Sequence, residues 1–564
     1  MGNEKVTKAA QFFLSSPRGN VVFLLIVASL IFFLNLNGWD LWNPDEPRYA
    51  QVAQEMRATG DWILPHLNSE IYSEKPPLFF WLIAFFSFFT GGVDEISARL
   101  PSALAALGCI MLTFFIGKRL FDQKAGFFAA LVLLTSTQFF WMGRRGNIDM
   151  TLSFWVILAL TFFCLGLQGE KKSRFFYFIP YVVMGIGVLT KGPVGFLLPF
   201  LTMVVYLVVS KNFRHFKKLE IPWGLVIFIL IISAWLIPAC IQGGKTYTQL
   251  ILFRQNIERF ADTWTHQQPF YYYLEVFPAG FIPWIVLFPG ALFWGFSKDQ
   301  REHRLNFYFP LCWFLTIFIF FSLSTSKREL YLLPLYPAAS LLLGGFISSF
   351  ISSPDREGIV SKLLLFPLYL LGGIFMLGGI GVCIFPFLKT PVSGLIRFFP
   401  HLIIFMLVFL AGGYLILSFV RKKNVTAGFL TIFLIMVVGF LGAIEIVLPS
   451  INPLKSAKPM CQSILRHLPK DKEIVAYGLK LAPFNFYTGL NKIEQLKTNE
   501  ELMLAFNSPS VGLILLEENN FITLQEKALI PANIQVVEKS KIGHRSFILL
   551  EKNHKEVGAL YPPR

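Results

Sequence analysis

Charge is scarce in this chain: Asp, Glu, Lys and Arg make up 15% of its 564 residues, against roughly 25% in ordinary soluble proteins. The charge that is present leans one way, 50 Lys and Arg against 34 Asp and Glu, for a formal net charge of +16. Cysteine is scarce as well. Cys109, Cys164, Cys240, Cys312 and Cys383 lie inside apolar runs and only Cys461 in the polar C-terminal region, so that region holds no internal disulfide, and no Cys-x-x-Cys metal pattern exists. No internal repeat of useful strength is visible, which counts against an inverted-repeat transporter. Hydrocarbon fills the gap: 54% of residues are hydrophobic and 62 are Phe, for a mean hydropathy of +0.58.

Apolar runs of about 17–25 residues recur, the length that spans a bilayer, and the chain reads as a polytopic α-helical membrane protein. Its cations sit mainly in the short turns between those runs, where the positive-inside rule puts them, so the basic balance does not point to nucleic acid. Lys5, Lys8 and Arg18 before the run 21–36 resemble a signal peptide, but the run is long and ends in Asn-Gly-Trp-Asp without a small-residue cleavage site; a retained anchor is expected. That places the loop 37–97 outside. The run 78–89 is short and is followed by no cation; if it crossed, the basic turn with Lys118, Arg119 and Lys124 would also lie outside, so it is expected to lie at or dip into the outer interface. Further spans are then expected near 99–117, 126–142, 148–168, 175–190, 194–210, 222–241, 272–297, 306–323, 330–351, 363–388, 398–419 and 427–448, thirteen with the first. The outer turns are 143–148, 191–193, 242–271, 324–329 and 389–397, and the tail from about 450 is also outside.

Composition divides the chain into a membrane domain, 1–449, and a tail, 450–564. The tail reads as a small α/β domain with strands over 473–477, 511–516, 534–537 and 546–550 and helices over 500–506 and 521–529. It carries no phosphate loop or nucleophile motif, so binding or shielding is expected of it, and no nucleotide cofactor is expected of the chain.

Polar motifs gather on the outer side. Asp45-Glu46-Pro47-Arg48-Tyr49 reads as a helix start, an acid before proline at the positive end of the helix dipole. A cap explains one acid, leaving cap alone or cap plus function for the pair. Tyr72-Ser73-Glu74-Lys75-Pro76-Pro77 sets an anion beside a cation at a membrane entry: an interfacial anchor, or a phosphate contact at Lys75 with Glu74 as a metal or sugar ligand. Arg144 and Arg145 precede Asp149 at the head of a span, where Asp149 serves as cap or as a second carboxylate. Lys191 sits in a tight turn, and Lys327-Arg328 in another, followed by Tyr331 and Tyr336. Cations in three outer turns share one explanation, an anionic ligand such as a polyprenyl phosphate or phosphorylated lipid. His266 is a lone histidine, a metal candidate only if an acid from the first loop reaches it.

Taken together, NPDEPRYAQVAQEM, GDWILPHLNSEIYSEKPPL, ARLPSAL, the Asp149 segment, LTKGPVG and SKRELYLLPLYP resemble the bacterial aminoarabinose lipid A transferase family, within the glycosyltransferase C superfamily. The resemblance runs from about 39 to 336. It implies thirteen spans, an outer-face active site, a polyprenyl-phosphate-sugar donor, and lipid A or another outer-leaflet acceptor. It implies that Asp45 is the central catalytic acid, supported by Asp149. Lys75, Lys191 and Arg328 would meet the donor phosphate, and Tyr49 and Tyr72 would line the site; beside them, Arg145 is a further candidate phosphate contact and Glu46, Arg48, Tyr331 and Tyr336 are further candidate lining residues. Glu74 and His266 match positions that hold a divalent metal.

The implied reaction is displacement at an anomeric carbon, with a lipid phosphate leaving. Asp45 would act as base toward a hydroxyl acceptor; toward a phosphate acceptor it would orient, or hold a metal or an amino sugar. Two rivals stand beside it: the same chemistry on a protein acceptor, and a flippase for lipid-linked sugars. A transporter predicts ionisable groups at mid-membrane, and here the spans are nearly free of them, Glu445 being a partial exception.

Overall fold

The computed structural model describes residues 16–168, 173–252, 267–297, 304–352, 358–384 and 399–552. Lys171, Lys172, Lys298, Arg301, His266 and the outer turn 389–397 lie outside the described residues. The described residues pack as two compact units, one from Met1–Leu34, Glu74–Leu78 and Pro101–Ala443, the other from Asn35–Ser73, Phe79–Leu100 and Ile444–Arg564. The first loop, expected within the membrane domain, thus packs with the tail instead.

In the first unit the apolar runs form helices because a bilayer offers no partner to a backbone amide outside a helix or barrel. Eight described helices of the chain are long and apolar enough to cross a membrane, and ten spans result if each of two bent pairs counts as one. Thirteen requires that Pro17–Phe33, Phe175–Lys191 and Val194–Val209 also cross; at 1.5 Å per residue these rise about 24–26 Å against a hydrocarbon core near 30 Å. Two expected spans are not continuous. Gln123–Leu134 and Thr137–Gly143 meet at 69°, and Tyr272–Gly280 and Trp284–Phe296 meet at 110°. At the first break Ser136 starts the new helix, and the Thr135 hydroxyl turns back onto the Leu131 carbonyl (2.6 Å). At the second, Pro283 has no N–H to continue a ladder. The span expected over 330–351 opens as a tight 3-10 segment, Glu329–Leu335, before the α-helix Tyr336–Ile351.

In the second unit the helix Glu46–Thr59 ends at Gly60, whose φ of 73° lets its N–H reach the Met56 carbonyl. A two-stranded hairpin follows, β1 (His66–Leu67) and β2 (Glu70–Ile71), turned by Asn68 and Ser69 at positive φ. The helix Leu78–Thr90 has 13 residues, a rise of about 20 Å, too short to cross. The tail adds β3 (Glu473–Tyr477), β4 (Glu494–Leu496), β5 (Val511–Glu517), β6 (Ile534–Ile542) and β7 (Arg545–Lys552) in the order β4-β3-β5-β7-β6. β3 runs parallel to β4 and β5, while β7 runs antiparallel to β5 and β6. Ala476, Leu513, Leu515 and Leu549 fill one face and Val475, Ile514, Leu516 and Leu550 the other, so the sheet carries a core on both sides.

Candidate active site

In the loop-and-tail unit, Asp45 stands where a helix cap would, directly before Glu46–Thr59, yet its side chain makes no capping hydrogen bond. Its carboxylate takes the Arg48 guanidinium at 2.6 Å instead, one helical turn on, while the residue is only 6% exposed. Arg48 is half-buried and lies 5.2 Å from the centre of the Tyr49 ring. The adjacent acid has a different task. Glu46 accepts Arg99 Nε at 2.9 Å and the Trp42 N–H at 3.1 Å, with both Arg99 and Glu46 buried. Arg99 also donates to the carbonyls of Leu36, Trp39 and Asp40. Expected to line the site, Glu46 is instead spent on holding the loop, because a carboxylate taken this far from water needs its cation. Tyr49 packs edge-on to Phe79, and Tyr72 edge-on to Phe80, both tyrosines nearly fully buried.

In the membrane unit, Asp149, Lys191 and Tyr331 come together. Asn147 caps the helix Ile148–Gln168, its Oδ1 accepting the Asp149 N–H at 2.7 Å, which leaves the Asp149 carboxylate to pair with Lys191 Nζ. That ammonium also lies 4.3 Å from the centre of the Tyr331 ring. The LTKGPVG turn places it. Lys191 ends one helix, Gly192 turns at φ 90°, and Pro193 precedes Val194–Val209. The two helices then meet at Gly187 and Gly195, where a Cβ on Gly195 would lie 2.2 Å from the Gly187 carbonyl carbon.

The other expected residues divide. Arg144 is buried and donates to the Ile31 and Leu34 carbonyls, closing the C-terminal end of Pro17–Phe33. Arg145 is half-buried, 5.3 Å from the centre of the Trp141 ring. Lys327 donates to the Gln268 and Ser324 carbonyls, and burial pushes its ammonium below the usual lysine range. Arg328 is half-buried, its carbonyl accepting the Tyr273 hydroxyl at 3.2 Å. Tyr336 does not line an open site: it is fully buried among Phe277 and Phe281. Lys75 and Glu74 are half-buried in the turn before Leu78–Thr90. Glu74's expected metal partner, His266, lies outside the described residues, and among those described no three His, Cys, Asp or Glu gather as a divalent ion requires.

The sequence did not single out Arg99 or Glu55. Glu55 is buried and accepts the N–H groups of Asn68 (2.7 Å) and Ser69 (2.9 Å), satisfying the turn of the hairpin. The available signal was a lone charge flanked by small or apolar residues, Ala98-Arg99-Leu100. Such a charge demands a buried partner.

Residues 74–237 match the family model for dolichyl-phosphate-mannose-protein mannosyltransferase. The chain is 28% identical over 472 residues to an undecaprenyl phosphate-alpha-4-amino-4-deoxy-L-arabinose arabinosyl transferase of Pectobacterium atrosepticum, covering 81% of this chain and 82% of that one. A second transferase of that name, from Pseudomonas fluorescens, is 31% identical over 349 residues, 60% of this chain and 58% of that one. Among solved structures, ArnT from Cupriavidus metallidurans bound to undecaprenyl phosphate superposes with a TM-score of 0.76 at 22% identity, over 97% of this chain and all of that one. The archaeal oligosaccharyltransferase AglB from Archaeoglobus fulgidus shares the fold more distantly, with a TM-score of 0.52 at 11% identity over 90% of this chain and 69% of that one. The fold is therefore that of a multi-pass glycosyltransferase of type C. The sequence likeness to these arabinosyl transferases runs along most of both chains, and the fold matches that of ArnT.

Proposed function

We propose that this protein transfers an aminoarabinose-like sugar from a polyprenyl phosphate to lipid A or another lipopolysaccharide acceptor, at the periplasmic face of the inner membrane. The relatives' names support the donor class, and the acceptor class is what the family resemblance implies. The observation that carries the catalytic part is the Asp45 carboxylate, buried at a helix start yet released from capping and held by Arg48.

In the reaction the bond between the anomeric carbon and the phosphate oxygen breaks, and the polyprenyl phosphate leaves with the bonding electrons. The acceptor oxygen forms the new bond. If that oxygen is a hydroxyl, its proton passes to Asp45; if it is a phosphate oxygen, Asp45 orients the acceptor or the sugar's amine. Lys191, whose ammonium pairs with Asp149 and lies over the Tyr331 ring, would give the departing phosphate its counter-charge. Lys75, Arg145 and Arg328 are further cations proposed for the same phosphate.

The test is turnover by the purified protein with polyprenyl-phosphate-aminoarabinose and lipid A. Asp45→Asn should lower it by about a hundredfold or more, the range for a lost general base, and undiminished transfer would refute the assignment. The match to a protein-mannosyltransferase model over 74–237 favours one second reading, a protein acceptor. A peptide acceptor offered in place of lipid A decides between them.

A further inference from the structure

We propose that Asn452 and Tyr487, both from the C-terminal region, are positioning residues that hold the loop carrying Asp45 in its working shape. The proposal rests on Asp45 being the catalytic carboxylate. Residues 39–42 form neither helix nor strand, so their backbone groups must find partners elsewhere. Three consecutive N–H groups find them in side chains. Asp40 N–H donates to Asn452 Oδ1 at 3.0 Å, Leu41 N–H to the Tyr487 hydroxyl oxygen at 2.6 Å, and Trp42 N–H to Glu46 at 3.1 Å. Two of the three partners therefore come from more than four hundred residues away.

Both residues make further bonds. Asn452 Oδ1 also accepts the Trp42 indole N–H at 2.9 Å, and Asn452 Nδ2 donates to the Asp40 carboxylate at 2.8 Å. The Tyr487 hydroxyl, while accepting from Leu41, donates to Glu95 at 3.2 Å. Lys458 joins them, 3.2 Å from Asp40 and 3.8 Å from Glu95. Apolar packing runs alongside: Leu41, Ala50 and Ala98 are buried with Phe486 and Tyr487 packed against them. Ala50 lies on the helix that Asp45 opens. A second attachment fixes the hairpin, where the Asn68 side chain exchanges hydrogen bonds with the backbone of Ile493 (2.8 and 2.9 Å) and accepts Asn485 Nδ2 at 2.9 Å. The tail thus splints a segment that has no regular structure of its own, within five residues of the proposed catalytic carboxylate. A shift of about 1 Å in such a group is enough to cost a hundredfold in rate.

Tyr487→Phe and Asn452→Ala in the full-length protein test this, with Glu500→Gln, exposed on the tail helix Asn499–Asn507, as control. Two quantities are read: amide hydrogen exchange over 37–46, and kcat and donor KM separately. The expected result is faster exchange at Asp40–Trp42, a kcat lower by about ten- to a hundredfold, donor KM within about twofold, and unchanged exchange in β3, β5 and β7. Wild-type exchange in the loop for both variants overturns the proposal, and so does faster exchange with unchanged kcat. Failure of the Asp45 reading shows separately, as transfer that survives Asp45→Asn, while the exchange data still report whether the tail holds the loop.

Discussion

At Asp149 and Lys191 two buried charges face each other, with side chains 6% and 10% exposed. Removing one partner strands the other, a loss of roughly 3–5 kcal/mol, whereas replacing both with neutral groups of similar size is often close to neutral. Asp149→Asn and Lys191→Met should therefore each lower the thermal midpoint, and the double variant should recover most of it. Under the role proposed for Lys191, activity should follow a different course: the double variant stays inactive in the transfer assay. Recovered activity in the double variant would make the pair purely structural. Individual residues were only partly legible in the sequence. Asp149 stood out as an acid at the head of a span, but Asn147 takes the cap, and only the three-dimensional placement of Lys191 says what the carboxylate is for. The adjacent acids Asp45 and Glu46 look equivalent in sequence; Arg99, more than fifty residues later, separates their tasks. Tyr336 deceives because an aromatic seven residues past a charged turn looks the same in sequence whether it faces a site or a core.

Elements were more legible, and the turn at Lys191 shows where legibility ends. LTKGPVG reads as a tight turn from its glycine and proline, but not as a helix crossing. A Cβ at Gly195 would meet backbone at 2.2–2.5 Å, whereas one at Gly187 would meet its nearest atom at 3.2 Å. Gly195→Ala must therefore push the two helices apart, at a cost of about 1–3 kcal/mol, and Gly187→Ala should cost less. The displacement falls at Lys191, so Gly195→Ala should also raise donor KM. Thermal midpoints and donor titrations of the two variants check the order, and equal effects would contradict the crossing. In the tail, β3, β5 and β7 were readable because five or more largely apolar residues in a row carry a signal, whereas β6 showed only its first four, 534–537, before Glu, Lys and Ser break the pattern. β4 with three residues and the helix Ala482–Thr488 with seven were too short to leave one. The bent pairs near 135 and 281 read as straight spans because hydropathy records length and composition, not direction.

For the whole molecule the deciding element is Leu78–Thr90. If it crossed the membrane, the turn with Lys118, Arg119 and Lys124 would lie outside, and every later turn would invert. At 13 residues it is about 10 Å short of the hydrocarbon core; if it lies at the outer face, as expected, the basic turns at 118–124, 211–218 and 421–423 would all fall in the cytoplasm. The expected odd number of spans would then put the tail on the opposite side from the N-terminus. Fusions to a phosphatase that is active only outside the cytoplasm, and to a fluorescent protein that matures only inside, read this directly. Joined after Asp122, the fluorescent protein should be bright and the phosphatase silent; joined after Gly192 or after the last residue, the reverse. A silent phosphatase at Gly192 together with an active one at Asp122 would mean that Leu78–Thr90 crosses. It would also move Lys191 and Asp149 to the cytoplasmic face, where the proposed donor phosphate could not be shared with a periplasmic acceptor.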